Sequence, residues 1–261
     1  SKRDDLPDVD CLMQGVTIRR LGLVRGAGGG VYNALSFICY CMSVFLFAVR
    51  NKPACVNVHS LTLVPVGLLI KLFSSKTVLI YDAHELETET NGSGTAFKFF
   101  KRIIERFSIG FFRHCFFVSP SILSWYKDKY GIECASVVMN CPKYFPSIKP
   151  TNYFREHFGL TDQHVLLLYQ GIFAKGRGIE LLIRAIDRLP ENAVLVCLGY
   201  GALEYELREK ARTNPKLFVH DAVVPAKIFE ISSSADCGVS FFENTSLSQY
   251  YALPNKLFEF G

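Results

Sequence analysis

No Cys-x-x-Cys pair occurs in the 261 residues, although there are nine cysteines. An odd number of unpaired-looking thiols, with Cys39 and Cys41 the one close pair, argues against a disulfide framework or a zinc site and for reduced thiols in a cytosolic setting. A complete dinucleotide fingerprint is also missing. Gly26 and Gly28 are followed by Val31 where the third glycine belongs, and no acidic residue follows at the required distance. A nicotinamide-dependent dehydrogenase is thereby disfavoured, and the RGAGGG segment reads as a loop. An Asp-x-Asp metal motif appears once, at Asp8 and Asp10, but in an acidic tail with no buried strand before it. The opening SKRDDLPDVD is polar and acidic, unlike a signal peptide, and lacks an initiating Met; the ending FEFG reads as mid-helix. A fragment or trimmed chain is the expectation.

Charge of either sign is absent from residues 31–49. By length that run qualifies as a membrane span. Tyr32, Asn33, Ser36, Tyr40 and Ser43 interrupt it, and the segments after it look like soluble α/β units, so a buried helix is the preferred reading.

What is present is 49% hydrophobic composition, enough for one large core or two modest ones. Charge is divided unevenly. Lys plus Arg against Asp plus Glu is 18 to 11 through residue 150, or +7, and 11 to 13 after it, or −2. The first half therefore carries the whole net charge of +5 and is the half expected to meet an anionic surface.

Strand and helix signals alternate. Short apolar runs at 54–58, 77–81, 116–119 and 136–139 read as strands of the first half, with a helix through Gly67–Ile70 whose Pro65 suits a first turn. The clearest unit is VLLLYQGIFAKGRGIELLIRAIDRL. Residues 165–169 make a strand buried on both faces; Gly171, Gly176 and Gly178 punctuate a loop holding Lys175 and Arg177; Ile179, Leu182, Ile183, Ile186 and Leu189 then recur at helical spacing. Strands at 193–198, 217–220 and 237–242 follow, with helices at 203–211 and 226–234 between them and a last helix from Pro254. The fold class expected is α/β, with two Rossmann-like doubly wound parallel-sheet domains. Pro142, Pro146 and Pro150 mark a linker, giving domains 1–146 and 147–261.

Two constellations carry chemistry. A helix start beside a glycine turn with Lys175 and Arg177 suits phosphate oxygens, the bland alternative being an ordinary turn with solvated cations. Asp82-Ala83-His84-Glu85, just past a strand end, stands where α/β folds place ligands. A third stretch, 97–117, has a stripe of Phe97, Phe100, Ile104, Phe107 and Phe111, while Lys98, Lys101, Arg102, Arg106 and Arg113 outnumber Glu105. Such a helix is suited to an anionic membrane interface, with Phe97, Lys98, Phe100, Lys101, Arg102 and Phe107 as contacts; the compatible alternative is a core helix with a solvated charged face.

YQGIFAKGRGIE, LVCLGYG, VHDAVVP and LPNKLFEF together resemble the nucleotide-sugar domain of family 4 glycosyltransferases, retaining enzymes of the GT-B fold; VNVHS, LIYDAHELETE, FFVSPSI and VVMNCP resemble its acceptor domain. The resemblance covers roughly residues 15–261. It implies that Gly171, Lys175, Arg177, Asn255, Lys256 and Leu257 hold the donor diphosphate. Gly199, Gly201, Val223, Val224 and Glu259 would hold the nucleoside, and His84 would face the transferred sugar. It further implies a UDP-sugar or GDP-sugar donor, no metal or other cofactor, a saccharide or lipid-linked acceptor, an anionic membrane surface as partner rather than nucleic acid, and a place on the cytoplasmic face of a membrane. Departures are Tyr251, where the family often has a second Glu eight positions before Glu259, and Ile172, where many members have Arg. The family's first strand and glycine loop would precede residue 1. These departures keep open a catalytically inactive, membrane-associated scaffold that retains the sugar-nucleotide pocket.

Overall fold

The computed structural model describes residues 9–12, 16–19, 21, 30–91, 94–142, 149–240 and 242–260. Residues 25–29 of the RGAGGG segment, Asp8, Pro146 with the expected domain boundary, and Gly261 lie outside them, whereas Gly30, expected in that loop, starts a helix. The chain divides into two compact units, Ser1–Thr88 with Ser93–Val137, and Glu89–Gly92 with Val138–Gly261.

The first unit opens with an antiparallel pair, β1 (Val9–Leu12) and β2 (Val16–Arg19), an arrangement the parallel expectation did not include. Next come α1 (Gly30–Asn51), β3 (Cys55–Val58), α2 (Val64–Phe73), β4 (Val78–Ala83), α3 (Thr95–Ser108), β5 (His114–Phe117), α4 (Pro120–Tyr130) and β6 (Ala135–Val137). The four later strands form a parallel sheet in the order β3-β4-β5-β6. Pro65 lies in the first turn of α2, and Ser119 caps α4 by accepting from the Ile122 amide, with Pro120 following it. Leu79, Tyr81, Cys115 and Phe117 are buried on one face of the sheet.

The 31–49 run is helical as expected, but it is not a buried helix. Cys41, Val44, Phe45 and Ala48 pack onto Val56, Val66 and Ile70, whereas Leu35, Ile38, Met42 and Leu46 are exposed on the opposite side. The apolar composition is uniform around the helix, and only packing chose which side went inward.

The second unit contains α5 (Tyr153–Phe158), β7 (Val165–Ile172), α6 (Ile179–Ile186), β8 (Ala193–Tyr200), α7 (Glu204–Thr213), β9 (Leu217–Asp221), α8 (Ile228–Ser232), β10 (Cys237–Val239), α9 (Leu247–Tyr250) and α10 (Asn255–Phe260). The helix expected at 226–234 is split into a 3-10 turn, Pro225–Lys227, and α8. Its parallel sheet runs β10-β7-β8-β9. β8 is buried along nearly its whole length, because both faces are covered. One face is packed by Ile179, Ile186, Leu203 and Leu207; the other by Phe154 and Ile231, with Val223 and Phe260 at its margin. The two Rossmann-like α/β units are thus those the alternation of strand and helix led us to expect.

Candidate functional site

The order β10-β7-β8-β9 reverses direction at β7. The chain leaves β7 toward β8 and β9, then returns through α8 to add β10 on the other side of β7. In an open α/β sheet such a reversal opens a crevice beyond the carboxyl ends of the two strands that flank it, here β7 and β10. The loop after β7 carries Lys175 and Arg177, and the segment after β10 leads to α10. Both border that point.

Their side chains meet there. The Arg177 guanidinium lies 4.6 Å from the centre of the Phe242 ring, and the Glu243 amide donates to the Gly176 carbonyl at 3.1 Å, tying the two segments together. Gly171 has a φ of 144°, and a Cβ placed on it would stand 3.7 Å from Cε of Lys256, so the Lys256 stem passes directly over the end of β7. The Lys256 ammonium reaches Oε2 of Glu259 at 2.7 Å. Glu259 Oε2 also accepts from Nε2 of buried Gln170, whose own Oε1 accepts from the Ser232 hydroxyl. Gly171, Lys256 and Glu259 therefore converge. Asn255 and Leu257 are exposed in the first turn of α10, and Lys175 is exposed in the β7 loop.

The residues expected to hold the nucleoside divide. Val223 is half-buried against the same apolar cluster as Phe260 of α10, while Val224 is exposed. Gly199 and Gly201 sit where β8 presses on β7: a Cβ on Gly199 would fall 1.8 Å from the Gly171 carbonyl oxygen, and one on Gly201 would fall 2.4 Å from that of Phe173. Close strand-end packing alone requires glycine at both.

In the first unit, His84 belongs to a polar cluster at the ends of β3 and β4. The Asn57 amide nitrogen lies 3.2 Å from Nε2 of His59. His59 Nδ1 is 3.2 Å from Asp82 Oδ2 and 3.1 Å from His84 Nε2. The ligand atoms of His59, Asp82 and His84 all lie within 4.8 Å of one another, a spacing that a metal ion can share.

No protein-family model matches the sequence, and no curated protein does either. Solved structures do match. Sucrose-phosphate synthase from Thermosynechococcus elongatus aligns with a TM-score of 0.71 at 14% identity, over 93% of this chain and 64% of its own. HepE from Anabaena in complex with UDP aligns at 0.59 and 12% identity, over 81% of this chain and 64% of its own. WaaB, a lipopolysaccharide outer core galactosyltransferase, aligns at 0.57 and 13% identity, over 80% and 56%. The fold is GT-B.

This GT-B chain thus spans less than two thirds of the length of each of those structures. Gln170, Ser232 and Phe242 escaped the sequence reading, as did the part played by Asn57 and His59 in orienting His84. Of these, only His59, a polar residue at a strand end, had a local signal; a buried glutamine in an apolar strand has none.

Proposed function

We propose that the chain belongs to a retaining glycosyltransferase that moves a hexose from a UDP- or GDP-sugar to a lipid-linked or cell-envelope saccharide, without a metal, at the cytoplasmic face of a membrane. The observation that carries the reading is the convergence of Lys256 and Glu259 on Gly171 at the sheet's reversal point, the end of β7 from which the loop with Lys175 and Arg177 leaves. HepE has been solved with UDP and with UDP-glucose, which supports the donor class.

Departure of a nucleoside diphosphate builds negative charge on phosphate oxygens, and fixed cations stabilise that charge as it forms. Lys175 and Arg177 are assigned to the diphosphate, with Lys256 beside them. Glu259, oriented by Gln170 and Lys256, accepts from the ribose hydroxyls at its other oxygen. The bond between the sugar's anomeric carbon and the phosphate oxygen breaks, the acceptor hydroxyl bonds to that carbon from the same face, and its proton passes to the leaving phosphate. His84 is assigned to the transferred sugar.

Thermal stabilisation measured across a panel of sugar nucleotides tests the donor, since a ligand that binds only the folded protein raises its melting temperature. Sugar transfer or donor hydrolysis tests the enzyme. Binding with neither reaction would leave the inactive scaffold, the reading that Tyr251 favours.

A further inference from the structure

We propose that α1, α2 and α3 form a membrane-docking plate for an anionic phospholipid bilayer, and that α1 lies along the bilayer surface rather than crossing it. The inference takes the membrane partner from the proposed function and adds the surface and its topology.

α3 is the decisive element. It turns its carboxylate inward and its rings outward: Glu105 is 1% exposed, whereas Phe107 is 72% exposed, with Phe99, Phe100 and Ile103 exposed as well. Glu105 is held in the interior by the Tyr126 hydroxyl and by the Tyr130 hydroxyl at 2.6 Å, so the helix cannot roll to hide its phenylalanines without breaking those bonds. A water-facing helix has the opposite arrangement. Lys101 is also drawn inward, its ammonium 3.7 Å from Glu87 and 5.2 Å from the centre of the Phe97 ring, which removes it from the outward set expected from sequence. Arg102 and Arg106 are exposed beside the phenylalanines.

α2 contacts both α1 and α3 and exposes Leu69, Leu72 and Phe73. α1 is long and apolar enough to cross a membrane by length and composition. Its inner side is nevertheless part of the folded unit: Phe45 packs edge-to-face on Phe73 at 5.3 Å, Ala48 is buried, and only residues 52–54 separate the helix from β3. Spanning would strip that packing away. The outer line of Leu35, Ile38, Met42 and Leu46 suits shallow insertion instead. The occupant follows from charge. Lys plus Arg exceeds Asp plus Glu by 18 to 11 through residue 150, and basic residues beside apolar rings match anionic headgroups.

The test uses phosphatidylcholine vesicles with and without phosphatidylglycerol. Co-sedimentation should require the anionic lipid. Arg102→Ala with Arg106→Ala should lower the partition coefficient about thirtyfold, at about fivefold per charge. Phe100→Ser with Phe107→Ser should abolish binding. Single tryptophans placed at Leu35, Met42 and Leu46 in a Trp125→Phe background should be quenched to equal, shallow depth by lipids brominated along the chain. A graded depth differing by about 16 Å from position 35 to 46, eleven residues of helix, would overturn the surface topology. Binding that ignores phosphatidylglycerol, or none at all, would overturn the plate. Nucleotide-induced thermal stabilisation, measured on the same samples, separates either failure from failure of the transferase reading.

Discussion

Phe260, near the end of α10, rests its ring on Gly238 of β10. A Cβ at Gly238 would lie 2.1 Å from the ring, so the missing side chain is what seats α10 and, with it, Lys256 and Glu259. Gly238→Ala should therefore displace α10. We expect a stability loss of about 1 to 3 kcal/mol by chemical denaturation, the usual cost of overpacking. Nucleotide affinity should fall at least about tenfold, as expected when a charge-assisted contact is lost. Unchanged affinity by calorimetry in the folded variant would disconnect α10 from the ligand.

Lys175→Ala and Arg177→Ala should each weaken binding of the donor diphosphate by about 1.5 to 3 kcal/mol, the range for a hydrogen bond to a charged group. Affinity for the free nucleoside should stay the same. If calorimetry shows both variants binding the diphosphate like the parent, the β7 loop is an ordinary turn with solvated cations.

Under the proposed function, His59 would position His84 through the 3.1 Å contact between their ring nitrogens. His59→Ala should lower turnover about 10- to 100-fold, the scale of a small misplacement at a reacting centre, while donor affinity stays constant. His59→Asn should recover part of the rate. A change confined to donor affinity would show that the cluster serves binding instead.

Glu105 supplies a pH prediction. Burial pushes its carboxyl above the ordinary carboxylate range, against the opposing effect of the tyrosine hydroxyls that donate to it. A folded-state value raised above the unfolded one means that the folded protein takes up the proton first. The stability linked to this group is fully present below the unfolded value and is lost as pH rises through the folded one. Relative to Glu105→Gln, the parent should gain stability as the pH is lowered from neutral into the acid range, read from denaturation midpoints at several pH values. A gap that is flat or closes with acid would refute the assignment.

Much of the scaffold was legible because its signals are local. Unalternated apolar runs announced β7 and β8, and the helical recurrence after Gly178 announced α6. α5 gave no such signal and was missed: it is six residues long and is fixed to the sheet by Arg155, 2.7 Å from Asp236, whose carboxylate also accepts from the Leu166 amide. The stripe on α3 was read from sequence, with an outward, membrane-facing orientation as the first reading and a core helix as the alternative. The apolar and charged residues of α3 lie on separate faces, and Tyr126 and Tyr130, far along the chain, decided that Glu105 on the charged face would point in.

By itself the sequence determined the alternation of strands and helices, the excess of positive charge in the first half and the residue types available for phosphate and sugar. Those properties reside in neighbouring residues and in composition. The tertiary structure alone decided that the second sheet reverses at β7, that Gln170 meets Glu259 across 89 positions, and that the apolar faces of α1 and α3 point outward. Each of these depends on partners distant in the chain, and no local pattern encodes which distant partner a side chain will meet.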